Sequence, residues 1–372
     1  MGVSVFPAAS SGGGAGGFYY NITGRGSFSV DIPSGIYDVT STNPITVQGQ
    51  EINGVVGILN YPDGITNIAT QPFGGEWVER SPGFSTTDIT SAAYGAGVFV
   101  IAGRDGKMRS STNGINYNTR DDGMGTSDIQ NVNYAGGIFI ASGAAGKIST
   151  STDGITWTLR SSPFGGSLTY GSTYGDNVFV AVAGDGKIAT SPDGATWTLR
   201  SNDNFGTSNI NCVTYGNGVF VAAAGGGEVE TSPDGITWTA RTSGTTSTFY
   251  GASYIEGLFY IYGFSGILLS SPDGITWTQI SGLTGNVRAL IHVDNNYIAL
   301  AAGGEIRTSP DTGTWTSRDS KVGSYDGWGL ATDGTIIVAV FNDGRMATAS
   351  SELGAEIALV LEAKSPTITL PA

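Results

Sequence analysis

The chain has 372 residues, with 17 Lys and Arg against 31 Asp and Glu, and a formal net charge of −14. Such an acidic chain repels a phosphate backbone, and it carries no basic patch interleaved with aromatic residues, which argues against nucleic-acid binding. Its 59 glycines and its 13% charged residues predict an all-β protein with many tight turns rather than helices.

The N-terminal sequence MGVSVFPAAS lacks the basic and long apolar regions of a signal peptide, and no apolar run is long enough to cross a membrane. We therefore expect a protein made in the cytoplasm without a signal peptide and without membrane insertion. The single cysteine, Cys212, cannot form an intrachain disulfide and falls within a predicted strand, which favours a buried apolar role.

Residues 1–70 show no repeat. The Gly-rich run 10–17 reads as a flexible tether, and 26–41 reads as a hairpin with Phe28, Val30 and Ile32 on one face. Together with the C-terminal tail 351–372, this segment predicts a small β module whose role is attachment or oligomerisation.

From residue 75 onward a short turn sequence recurs every 38 to 41 residues. Its copies read SSTNGINYNTR, TSTDGITWTLR, TSPDGATWTLR, TSPDGITWTAR, SSPDGITWTQI and TSPDTGTWTSR. Each period also contains four strand-like segments. This pattern is typical of the blades of a β-propeller, because one four-stranded sheet cannot bury both of its faces until neighbours pack on it.

A second aromatic position keeps a constant distance from the aromatic residue of each turn. It precedes that residue by 23 positions in all six copies. The residues concerned are Tyr94, Tyr134, Tyr174, Tyr215, Tyr254 and His292, ahead of Tyr117, Trp157, Trp197, Trp238, Trp277 and Trp315. A constant spacing of this kind indicates one structural unit repeated along the chain.

A seventh copy begins near Trp328 but lacks its turn and its fourth strand, whereas Trp77 and Arg80 match a fourth strand that has no preceding copy. We therefore predict a seven-bladed propeller over 75–350, closed by a blade that takes one strand from the N-terminal side. Such closure covers otherwise open sheet edges. Six or eight blades remain alternatives, with 355–362 supplying the missing strand.

The turn Ser191-Pro192-Asp193-Gly194-Ala195-Thr196-Trp197 resembles the Asp-box, or bacterial neuraminidase repeat, of sialidases, photosystem assembly-factor propellers and phage and bacterial surface proteins. It is one residue shorter between Asp and Trp than the usual pattern. The resemblance implies a propeller and a structural role for the turn residues. These are Asn113, Asp153, Asp193, Asp234, Asp273 and Asp311, with Trp157, Trp197, Trp238, Trp277 and Trp315.

We predict no catalytic residue, cofactor or metal site. A sialidase would need three arginines on a carboxylate, but half of the arginines recur at one position of the repeat, which indicates a structural role. His292, the only histidine, stands where other copies have Tyr. A carboxylate pair such as Asp121 and Asp122 leaves glycoside cleavage open.

The loops that join successive blades vary most and are rich in Ser, Thr, Asn and aromatic residues. Loops of this composition bind sugars, because aromatic faces stack on sugar rings while polar side chains meet hydroxyls. The aromatic residues that break the repeat pattern are the predicted ligand-binding residues: Phe249, Tyr250, Phe264, Tyr325 and Trp328.

Our first hypothesis is a non-enzymatic bacteriophage virion protein, tail-associated, as in a tail fibre, or surface-displayed, that binds a host-surface glycan or protein through this loop face. Its expected partners are other virion proteins through the N-terminal module and further copies of itself. The alternatives are a capsid decoration or assembly protein without an external ligand, and a glycan lyase or hydrolase built on the same propeller.

Overall fold

The computed structural model describes residues 77–200 and 204–350 in full and, outside these ranges, only the backbone of strands. The chain divides into two compact units, Met1–Gly75 with Ser350–Ala372, and Glu76–Ala349. No helix in the described residues is long and apolar enough to cross a membrane.

The terminal unit is built from strands of both chain ends. Its strands are Gly2–Pro7, Phe18–Thr23, Gly35–Ser41, Ile45–Val47, Gln50–Ile52, Val55–Tyr61, Gly64–Thr70 and Ile357–Ala363. Strand Ile357–Ala363 pairs with Phe18–Thr23 and Gly35–Ser41, so the C-terminal tail does not complete the propeller. The predicted tether 10–17, and the hairpin arm that carries Phe28, Val30 and Ile32, lie outside the described residues.

The second unit is a propeller of seven four-stranded antiparallel sheets, as predicted. The first three blades comprise Ile89–Gly95, Val98–Gly103, Met108–Ser111 and Asn118–Arg120; Ile129–Ala135, Ile138–Gly143, Ile148–Ser151 and Thr158–Arg160; and Thr169–Gly175, Val178–Ala183, Ile188–Ser191 and Thr198–Arg200. Blades 4 to 6 comprise Ile210–Gly216, Val219–Ala224, Glu228–Ser232 and Thr239–Thr242; Phe249–Ile255, Leu258–Gly263, Leu268–Ser271 and Thr278–Gln279; and Val287–Val293, Asn296–Ala301, Glu305–Ser309 and Thr316–Asp319.

Blade 7 combines Gly327–Thr332, Ile336–Phe341 and Met346–Ser350 with the upstream strand Val78–Arg80. Arg80 pairs with Met346 and Val78 with Thr348, so the predicted shared-strand closure is confirmed. The first strands of neighbouring blades contact one another in an unbroken circle, with blade 7 touching blade 1. These strands therefore surround the central axis.

The core lies between adjacent sheets. The second strands are almost entirely buried, and the tryptophan of each turn packs against the sheet before its own. Trp238, for example, belongs to one core cluster with Val180 and Ile188 of blade 3 and Phe220 of its own blade. Cys212 is 7% exposed, and burial raises the pKa of its thiol to about 12, which fits the predicted apolar role.

The second and third strands of several blades are joined by a single turn of 3-10 helix. These turns span Arg104–Gly106, Ala144–Gly146, Gly225–Gly227, Phe264–Gly266 and Ala302–Gly304. The middle residue of each has a positive φ, for instance 56° at Asp105 and 56° at Ser265. In these blades the turn reverses the chain within three residues and keeps this end of the blade short.

Candidate binding site at the mouth of the central channel

The two ends of the propeller are structurally distinct. Phe249 pairs with Gly263, so each first strand begins at the end where the second strand finishes. The connections between blades and the 3-10 turns lie at this end. The turns that contain Asp193 and its equivalents join third to fourth strands, and they lie at the opposite end.

Every first strand carries a β-bulge at its second residue. In blade 5, for example, Phe249 and Gly251 pair with Gly263 and Tyr262, and Tyr250 between them has no partner in the ladder. A bulge of this kind re-aims the side chain of the extra residue. We call the seven bulged residues the bulge ring: Thr90, Gln130, Tyr170, Asn211, Tyr250, Arg288 and Trp328.

A cavity of about 550 Å³ follows the first strands along the axis. The bulge-ring residues that line it are Tyr170, Asn211, Tyr250 and Arg288. His292 lines the same cavity four residues further along its strand. The bulge ring therefore forms part of the entrance to a polar central channel.

Three neighbouring members of the bulge ring form one stack. The guanidinium carbon of Arg288 lies 3.8 Å from the centre of the Trp328 side-chain ring and 4.8 Å from that of Tyr250. Tyr250 belongs to the blade before Arg288 and Trp328 to the blade after it, so the two aromatic groups flank the cation. Each such cation–π contact contributes roughly 0.5–2 kcal/mol, more as the charge is desolvated.

The predicted ligand-binding residues do not form one site. Tyr250 and Trp328 lie together in the bulge ring, whereas Phe249 is 0% exposed and cannot contact a ligand in this structure. Phe249 is the core residue that pairs across the bulge, at the position that Ile89, Ile129 and Ile210 occupy in other blades. The prediction that Phe249 binds a ligand is therefore wrong, and Phe249 is a core residue.

The two other predicted residues lie at the same end but outside the bulge ring. Phe264 opens a 3-10 turn and is 53% exposed. Tyr325 is half-buried before blade 7, with the guanidinium of Arg345 4.4 Å from the centre of its side-chain ring. Arg288, which joins Tyr250 to Trp328, was not singled out from the sequence. The sequence pattern that could have identified Arg288 is its position four residues before His292, which matches the position of Tyr250 before Tyr254.

The Asp-containing turns satisfy their own hydrogen bonds. Oδ1 of Asp193 accepts from the backbone N–H groups of Ala195 and Thr196, both at 2.8 Å, and from the hydroxyl of Ser191. The indole N–H of Trp197 donates to the carbonyl of Gly194 at 2.9 Å. Asn113 accepts through its own Oδ1 in the same way in blade 1. This geometry supports a structural role for these residues.

These hydrogen bonds favour the ionised carboxylates, so we expect the propeller to lose stability in acid. The backbone N–H groups of Thr156 and Ile155 lower the pKa of Asp153 to about 2, and equivalent donors lower the pKa of Asp193 and Asp273. A lowered folded-state pKa adds stability above the unfolded value of about 3.9, and that stability is lost as pH falls through the folded value.

We therefore expect the urea midpoint of the Asp153→Asn variant to fall less between pH 4 and pH 2 than that of the parent protein. The asparagine keeps the acceptor and removes the titrating charge, as Asn113 does naturally. The reverse change, Asn113→Asp, should steepen the loss over the same range. Identical profiles for the three proteins would show that these carboxylates do not govern acid stability.

The recurring fourth-strand arginines also have structural partners. Nε of Arg200 donates to Thr190 at 2.7 Å, and the equivalent bond recurs in five other blades. His292 packs on Tyr297, with ring centres 4.7 Å apart, as Tyr254 does on Phe259. Its Nδ1 lies 3.5 Å from Glu256. Within the described residues, no group of three or more His, Cys, Asp or Glu could hold a metal ion.

These features define a seven-bladed β-propeller with a polar channel mouth. No family model matches the chain, and no curated protein matches it in sequence. Among solved structures, virginiamycin B lyase from Staphylococcus aureus matches 74% of this chain and 99% of its own, at 13% identity and a TM-score of 0.67.

YCF48 from Cyanidioschyzon merolae matches 75% of this chain and 99% of its own, at 15% identity and a TM-score of 0.60. The WD40 domain of Doa1 matches 76% of this chain and 100% of its own, at 12% identity and a TM-score of 0.61. At these identities the similarity shows the fold alone.

Proposed function

We propose that this protein is a non-enzymatic recognition protein that binds its ligand at the bulge ring. One observation carries this proposal. The blades repeat the same turn, the same arginine and the same packing aromatic, yet the bulged position changes from Thr to Gln, Tyr, Asn, Arg and Trp. Because this position has no partner in the ladder, it varies without cost to the sheet, and its variation fits a role in ligand recognition.

The chemistry of the bulge ring suits a sugar. Tyr170, Tyr250 and Trp328 offer aromatic faces, Gln130 offers an amide donor and acceptor, and Asn211 offers its amide oxygen, since its N–H donates to the carbonyl of Phe249. Carbohydrate sites combine these two kinds of side chain. We propose that the ligand is a glycan of a host cell surface and that the protein is an adhesin of a bacteriophage particle. The terminal β unit would then attach it to other virion proteins.

Solved structures of this fold hold different ligands. This variety is compatible with a recognition role, but it does not identify the ligand of this protein. One solved structure is YCF48 bound to a D1 peptide, and another is an inactive virginiamycin B lyase with quinupristin. In this chain the only histidine packs between Tyr297 and Glu256, and we propose no enzymatic step at the bulge ring.

Binding of the labelled full-length protein to an array of bacterial surface glycans tests the proposal. We expect saturable binding, reduced at least tenfold in Tyr250→Ala and in Trp328→Ala, because each loses a stacking face at the channel mouth. Phe264→Ala is the matched control, since it removes an exposed aromatic group at the same end but outside the bulge ring.

Equal loss in Phe264→Ala would place the site on the outer loops instead. Absence of binding to any glycan would overturn the adhesin proposal and favour a particle-decorating role.

A further inference from the structure

Arg288 differs from the other described arginines in its partners. Within 77–200 and 204–350, every other arginine donates at least one hydrogen bond to a protein acceptor, whereas Arg288 donates none to a described residue. Its Nε is buried without a hydrogen-bond partner. No carboxylate of the described residues lies within ion-pair distance of it.

One described carboxylate acts on Arg288, and it already accepts a hydrogen bond from the backbone. Asp326 acts on Arg288 through space, but its carboxylate accepts the backbone N–H of Gly303 at 2.8 Å. Burial lowers the pKa of the Arg288 guanidinium, which is the direction expected for a cation that loses water without gaining an anionic partner. A charged group is unfavourable where it loses water and gains no partner, and an anion bound to the guanidinium offsets that cost.

We propose that Arg288 binds an oxyanion carried by the ligand, a carboxylate or a phosphate, at the mouth of the central channel. This inference rests on the proposed function and names the chemistry of its site. The guanidinium carbon lies over the rings of Tyr250 and Trp328, so the ligand would approach the N–H edge of the guanidinium. That edge presents parallel N–H groups, whose spacing matches the two oxygens of a carboxylate or phosphate.

Two further unpaired groups accompany this cation. The indole Nε1 of Trp328 has no hydrogen-bond partner among the described residues, and neither does the buried Oδ1 of Asn131, which lines the same cavity. The indole N–H can donate to the oxyanion or to a hydroxyl group, and the amide oxygen of Asn131 can accept from a hydroxyl group.

The charge of the chain limits the kind of ligand. With a net charge of −14, the protein repels a densely charged polyanion at long range. A single anion at a partly buried cation gains more, because the local interaction is screened less by water and salt. The ligand is therefore a mainly neutral glycan with isolated acidic units, such as uronate or sugar phosphate.

Titration with three matched sugars tests the inference on the full-length protein. Saturation-transfer NMR with glucose, glucuronate and glucose 6-phosphate should show at least tenfold tighter binding of an acidic sugar than of glucose. Which acidic sugar binds distinguishes a carboxylate from a phosphate ligand. We expect Arg288→Gln to abolish the preference, and Arg288→Lys to retain part of it because the charge remains without the two-pronged edge.

Arg109→Gln is the control, since Arg109 is an arginine on blade 1 whose partner is the carbonyl of Gly83. It should leave the preference for acidic sugars unchanged, and the thermal midpoint of each variant reports its folding. Equal binding of glucose and both acidic sugars, or an unchanged preference in folded Arg288→Gln, would overturn the inference.

The two proposals fail in different ways. If a neutral glycan binds and its binding depends on Tyr250 and Trp328 but not on Arg288, the recognition role stands and the proposal of an anionic ligand fails. If an acidic glycan binds and substitutions of Tyr250, Trp328 and Arg288 leave its binding unchanged, both proposals fail.

Discussion

Trp77→Ala should lose about 3–5 kcal/mol in the free energy of unfolding, the range for truncating a fully buried large aromatic residue. Trp77 is only 2% exposed although it precedes a three-residue strand, because Val78–Arg80 completes a blade whose other strands begin with Gly327–Thr332, far along the chain. Urea unfolding, followed by intrinsic fluorescence and circular dichroism, measures the change.

The adjacent residue is the matched control. Val78 is 42% exposed, and Val78→Ala should change the free energy of unfolding by no more than about 0.5 kcal/mol. If the upstream strand did not close the propeller, Trp77 would be an exposed residue in a connection between units. Similar small effects of both substitutions would therefore contradict the closure.

Gly216→Ala should destabilise the propeller by at least about 1–3 kcal/mol, the usual effect of overpacking a well-packed core. A Cβ atom at Gly216 would lie 2.1 Å from Cγ of Tyr254, on the next blade, and neither the strand nor the aromatic group can move without opening the contact between blades. The thermal midpoint and the urea midpoint should both fall.

Gly218→Ala separates this contact from backbone strain. Gly218 has a φ of +78° and nothing within 4 Å of an added Cβ, so alanine there costs only the left-handed conformation, about 1–2 kcal/mol. In Gly216→Ala combined with Tyr254→Ala, the second substitution should cost less than it does alone, because it relieves the overlap. Strict additivity of the two changes would argue against a steric origin.

Much of the propeller could be predicted because its signal is repeated. The spacing of 23 residues between Tyr94 and Tyr117 recurs in six copies, and each copy confirms the strand boundaries of the others. The closing strand was recognisable because Trp77 and Arg80 keep the spacing of Trp157 and Arg160. The terminal segments have no such repeat, so their hairpin assignments rested on local patterns alone.

The site was harder to predict because its residues are defined by register rather than by type. Phe249 looked irregular as an aromatic residue near a loop, but its pairing with Gly263 makes it the core residue of its strand. Arg288 looked like one of several unassigned arginines. Its importance depends on a bulge that places it level with Tyr250 and Trp328, and a bulge leaves no mark in hydrophobic periodicity.

The closure of blade 7 also gives the propeller a polarity. The upstream strand enters blade 7 at Trp77, opposite the place where the third strand ends near Thr348, and both points lie at the end that carries the Asp-containing turns. Both covalent connections to the rest of the chain therefore leave the propeller from one end. If copies of the propeller are attached through that end, the bulge ring of each copy lies at the end away from the attachment, and weak individual contacts add up to strong multivalent attachment.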